Sequence, residues 1–125
     1  MSDNRNYARY PSNIPVIIYD CKTHKEVEGT ICNISEHGLG LKFENNNKIS
    51  HLFQVDNHIK FAFVDNLKIN SKTIIPFVIS EIGIIRHIES ADKSLTLGAN
   101  VRSDILIKYI QYKICADIYH SRCGT

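Results

Sequence analysis

Residues 26–44 read EVEGTICNISEHGLGLKFE. In an extended chain Val27, Gly29 and Ile31 fall on one face and Glu28, Thr30 and Cys32 on the other, the period of a half-buried strand. A second run, Leu39–Glu44, follows directly after Gly38. Between them Asn33-Ile34-Ser35-Glu36-His37-Gly38 carries Asn, Ser and Gly where local side-chain capping and positive φ are needed. The stretch predicts an antiparallel hairpin, Glu26–Ile34 with Leu39–Glu44, closed by a constrained turn.

The same grammar extends outward in both directions. Ile14–Tyr19 is an apolar run with Pro15 near its start, where a missing N–H costs a strand least. Ile59–Val64 alternates Ile59, Phe61 and Phe63 with Lys60, Ala62 and Val64, so the aromatics are expected to point inward. Pro76 makes Thr73–Val78 an edge or a bulge. Ile82–Ile88 and Ser94–Val101, joined by Ser90-Ala91-Asp92-Lys93, predict a second hairpin, with bends or close approach at Gly83 and Gly98. Ile49–Val55 reads as either one helical turn or irregular cover. Short β-prone runs between turn clusters predict an all-β body, a sandwich or small barrel.

The period changes after Ser103, a plausible N-cap. Ile107, Ile110, Ile114 and Ile118 recur at helical spacing, predicting a helix over 103–122. At 100° per residue Ile105, Tyr109, Tyr112, Ala116 and Tyr119 form a second stripe roughly opposite the isoleucines. One stripe is expected to cap the body. The tyrosine stripe is then either exposed surface or a contact for a second copy or a target protein.

Composition narrows the function. A chain of 125 residues is one domain, and 43% hydrophobic residues supply a core. Fifteen Lys plus Arg against thirteen Asp plus Glu leave +2, too near balance for a sequence-independent DNA or RNA binder. Single-stranded nucleic acid would need a basic groove with stacking aromatics, yet Trp is absent and Phe61 and Phe63 are read as inward. No apolar run approaches the length of a membrane span, and Met1–Tyr10 is polar, so a soluble cytoplasmic protein without membrane insertion is expected. Cys21, Cys32, Cys115 and Cys123 follow no compact framework and read as reduced thiols. Zinc could only be built from Cys21-x-x-His24 with Cys32 or His37, one ligand pair where two are normal, so no metal is expected. The six histidines make no His-x-x-x-His pair, and no Gly-x-Ser-x-Gly elbow is present. Asn33-Ile34-Ser35 matches a glycosylation sequon, but no secretory signal accompanies it. No enzyme is expected.

Two of five arginines, Arg5 and Arg9, fall in the polar arm ahead of the first strand. A pair of guanidinium forks can grip phosphate bidentately, stack on a base and pair with guanine O6 and N7. A solvated tail whose arginines touch nothing is the plainer reading of such a pair taken alone. The sequence around it adds a resemblance. Arg5-Asn6-Tyr7-Ala8-Arg9, then Pro11 and Pro15 leading into Val16, then Asn33-Ile34-Ser35-Glu36-His37-Gly38 after a strand, resembles the PilZ domain family. The signatures of that family are Arg-x-x-x-Arg and Asp/Asn-x-Ser-x-x-Gly, and both are complete here in the right order. The likeness runs on through Ile82–Arg86 and Leu97–Val101.

The resemblance implies a six-stranded antiparallel β-barrel with a C-terminal helix, divided as an arm over 1–12, a barrel over 13–102 and a helix over 103–122. It implies a receptor for cyclic di-GMP, a ligand rather than a cofactor. Arg5 and Arg9 would clamp phosphates and guanine faces, Asn33 and Ser35 would hydrogen-bond from the turn, and Gly38 would give shape and clearance. Binding would order the arm and signal to a protein partner, with a homodimer through the helix as a further possibility. The alternative is an adaptor that binds no nucleotide and works through the tyrosine stripe. Two positions depart from the family pattern: Asn4 stands where many members carry a further Arg, and Asn33 replaces the commoner Asp, keeping an acceptor while adding a donor and removing charge. Lys42 and Arg86 read as solvated strand residues, with Lys42 also able to offer a phosphate contact.

Overall fold

The computed structural model describes residues 10–44 and 52–122. Six strands, β1 (Tyr10–Asp20), β2 (Glu26–Ser35), β3 (Gly38–Glu44), β4 (His58–Lys68), β5 (Ile74–Ser90) and β6 (Ser94–Val101), precede one helix, α1 (Asp104–Arg122). All pairings are antiparallel, and the ladder closes in the order β1-β2-β3-β6-β5-β4.

The expected first hairpin is present as β2 and β3, with Ser35 paired to Gly38 across the two-residue loop Glu36-His37. Alternation does its work in β4, where Ile59, Phe61, Phe63 and Leu67 are buried between exposed neighbours. Ile18, Ile31, Ile34, Leu41, Ile79, Ile85 and Leu97 join them as fully buried core. Leu52 and Phe53 join the same core from an irregular segment, Phe53 lying 5.4 Å from Phe43 ring to ring. Residues 49–51 of that expected cover lie outside the described residues.

Three expectations change. β1 starts at Tyr10, ahead of Ile14, so 10–12 of the expected arm are in the strand; an irregularity between Pro11 and Ile14 absorbs the first proline. Thr73–Val78 and Ile82–Ile88 are not separate elements but one seventeen-residue strand, because the polar Ser80-Glu81 step stays in register opposite Ala62 and Phe61. The outer half of β5 pairs with β4 alone, β6 joining only from Gly83, so Pro76 does sit on a local edge.

The third change concerns the helix. Ser103 caps it, its Oγ accepting the Leu106 N–H at 3.2 Å and donating to Glu81 at 3.0 Å. The face it buries carries Leu106, Tyr109, Ile110 and Ala116, a strip lying between the two expected stripes. Tyr109 is fully buried, edge-on to Phe63 at 5.5 Å and Phe77 at 5.4 Å, and its hydroxyl donates to Asp65 at 2.7 Å. Tyr112 packs beside it on Phe77. These tyrosines seat the helix on β4 and β5 and are not an exposed partner surface. The outward positions are instead held by Ile105 and Ile118. Burial raises the Tyr109 pKa far above its ordinary value, and the hydrogen bond and charge of Asp65, then the charge of Asp117, push it the same way.

Candidate functional site

The turn between β2 and β3 holds three of the five expected site residues. Ser35 is buried and its Oγ donates to the Gly38 carbonyl at 3.4 Å. The turn is pinned from the far side, where the Val101 N–H donates to the His37 carbonyl at 2.8 Å and Gly38 pairs with Asn100. Gly38 does not adopt positive φ, contrary to the sequence expectation, and neither do Glu36 or His37. Clearance is what it supplies: a Cβ at this position would stand 2.8 Å from the Ala99 carbonyl oxygen of β6.

Asn33 lies two residues before Ser35 at an irregularity in the β2–β3 register, opposite Gly40. Its amide folds across Gly40, so that a Cβ there would stand 2.8 Å from both Cγ and Oδ1. Its Nδ2 also approaches the Cys32 Sγ at 3.8 Å. Gly40 was not singled out from the sequence. The signal was there in Gly38-Leu39-Gly40, since two glycines two residues apart share one face of a strand.

Arg5 and Arg9, with Asn4, lie outside the described residues. The residues that follow the arginine motif are described, and they pair with the second motif, Tyr10 with Ile34 and Pro11 with Asn33.

On the other side of the turn the end of β6 and the start of α1 enclose an open groove of about 640 Å³ lined by His37, Asn100, Arg102, Ser103, Asp104 and Ile107. Arg102 is exposed, and among the described residues no ion pair ties it down. Arg86 is differently placed, on β5, its Nη1 donating to Asp56 at 2.6 Å in an exposed surface pair. Lys42 is exposed on β3 between Thr30 and Thr96. Among the described residues no cluster of three or more His, Cys, Asp or Glu could hold a metal ion, and Cys21, Cys32 and Cys115 are free thiols.

A closed six-stranded antiparallel barrel with a small polar turn between β2 and β3 and one helix after the last strand defines the fold class. Comparison with known proteins makes the class specific. Residues 3–105 match the model of the PilZ domain family, described as "PilZ domain", and the chain belongs to that family. No curated protein matches the sequence. Among solved structures, the PilZ domain of YcgR from Escherichia coli, determined with c-di-GMP, superposes with a TM-score of 0.67 at 9% identity, over 98% of this chain and 99% of that one. MotI/DgrA of Bacillus subtilis, an inhibitor of motility, gives 0.64 at 15% identity over 94% of this chain and 53% of its own. The K. pneumonia MrkH–c-di-GMP complex gives 0.65 at 11% identity, over 100% of this chain and 56% of that one. The chain thus spans about half the length of MotI and MrkH and nearly all of the isolated YcgR domain.

Proposed function

We propose that this chain is a cytoplasmic receptor for cyclic di-GMP that catalyses nothing and passes the presence of the messenger to a protein partner. Arg5 and Arg9 grip phosphate and guanine, Asn33 and Ser35 hydrogen-bond the ligand from the turn, and Gly38 keeps the turn tight against β6. The observation that carries the reading is the β1–β2 register, in which Tyr10, the residue that follows the arginine motif in the sequence, pairs with Ile34 inside the Asn-x-Ser-x-x-Gly motif. Membership of the PilZ family and the c-di-GMP present in the YcgR and MrkH structures support the choice of ligand.

The partner surface on this reading is the outer face of β1, β4 and β5. Ile17, Val64, Val78 and Ile82 stand there 47–68% exposed, Val64 paired directly with Val78, Ile17 opposite Ala62 and Ile82 opposite Lys60. The adaptor alternative keeps that face but loses the one first assigned to it, because Tyr109 is inside.

Isothermal titration of the chain with cyclic di-GMP, with GTP and cyclic di-AMP as controls, tests the receptor. Selective saturable heat at micromolar concentration or below is expected. No heat and no thermal shift with cyclic di-GMP would leave the adaptor as the surviving reading.

A further inference from the structure

We propose that Arg102 is a third cationic contact of the nucleotide, taking a phosphate in the groove between the β2–β3 turn and the start of α1. The inference rests on the receptor reading above and extends it to a residue outside both sequence motifs.

The position is fixed by backbone contacts. Gly38 pairs with Asn100, and the Val101 N–H holds the His37 carbonyl at 2.8 Å, so Arg102 leaves β6 directly beside the turn. On its other side Ser103 is locked as the helix cap through Leu106 and Glu81. The Arg102 backbone is therefore held between two anchored residues while its side chain remains exposed on the groove. An anchored root with a long cationic head suits capture of an anion, since little backbone order has to be added on binding.

Charge completes the argument. Cyclic di-GMP carries two phosphates, whereas the turn offers it only the neutral groups of Asn33 and Ser35. On one side of the turn lies β1, the strand that follows the arginine motif in the sequence, with Pro11 paired to Asn33. Arg102 stands across the turn from β1, on the β6 side. A ligand lying over the turn thus meets a guanidinium on the β6 side, and Arg102 can grip phosphate bidentately where lysine offers only a point charge. Asp104 lines the same groove and opposes the anion. His37 faces it too and carries charge only when protonated.

The opposed charges give the test two signs. The full chain and its Arg102→Ala, Arg102→Lys, Asp104→Asn, Arg86→Ala and Arg9→Ala variants are titrated with cyclic di-GMP, with thermal melts run alongside. Arg102→Ala should weaken binding tenfold or more without moving the melt, with Arg102→Lys recovering part of the loss. Asp104→Asn should tighten binding twofold or more, and Arg86→Ala should leave it within twofold. If Arg102→Ala binds within twofold of the parent chain while Arg9→Ala loses binding, the third contact is overturned and the receptor reading stands. If the parent chain takes up no cyclic di-GMP, both fall together.

Discussion

The amide of Asn33 occupies the space that a β-carbon on Gly40 would need. Glycine at 40, two strand positions from Gly38, is thus a condition for the placement of the Asn33 side chain, to which the proposed function gives a ligand contact. Gly40→Ala should swing the amide away, at a rotamer cost of about 0.5–1.5 kcal/mol that alanine's lower unfolded-state entropy partly offsets. The expected result is a loss of cyclic di-GMP affinity close to that of Asn33→Ala, with a melting temperature near that of the parent chain. Unchanged affinity would detach Asn33 from the site.

Gly38→Ala should behave in the opposite way. The obstructing atom is the Ala99 carbonyl oxygen, part of the β6 backbone, and it cannot swing aside. Relief requires β3 and β6 to part, so a destabilisation of about 1–3 kcal/mol is expected in urea denaturation. A stability equal to that of Gly40→Ala would show that the barrel yields there more easily than its hydrogen bonding implies.

For the ligand contacts themselves, Arg5→Ala and Arg9→Ala should each remove about 1.5–3 kcal/mol of charge-assisted bonding, roughly tenfold to a hundredfold in Kd. Ser35→Ala should cost less, about 0.5–1.5 kcal/mol, since its hydroxyl is neutral and already engages Gly38. Titration of the three variants checks the order, and a larger loss for Ser35 would reverse the roles.

Tyr109 predicts a pH dependence of stability. Its folded-state pKa lies above the ordinary value of 10.0, so the native chain holds this proton more tightly than the unfolded chain does. The associated stability is present in full below pH 10 and is lost as pH rises beyond it. Tyr109→Phe should cost about 1.5–3 kcal/mol at neutral pH by leaving Asp65 without its donor, and should remove that part of the alkaline slope. Denaturation at pH 7 and pH 11 compares the two; parallel slopes would place the sensitivity elsewhere.

The hairpin over residues 26–44 was legible because alternation and turn residues agree there, and so was the barrel once both motifs were read together. The length of β5 was not, since Pro76 and Gly83 are ordinary stop signals and only their partners, Asn66 on one side and Val101 on the other, show why the strand continues. The inner face of the helix was hidden by two apolar stripes of similar weight, between which Asp65, Phe63 and Phe77 decided in favour of Tyr109. In the site, Asn33, Ser35 and Gly38 were recognised as a motif, but the reason for Gly38 lies in Ala99, far along the chain. Arg102 belongs to no motif and becomes visible only when β6 is laid beside the turn.

That last pairing bears on biosynthesis. The turn takes its shape from β6, through Asn100 and Val101, so a nascent chain that has emerged only as far as Ser90 already has both motifs and lacks their geometry. Contacts this distant in sequence form late and slowly compared with local ones. Under the function proposed above, competence to bind cyclic di-GMP therefore arrives only with the last strand, however early both motifs leave the ribosome.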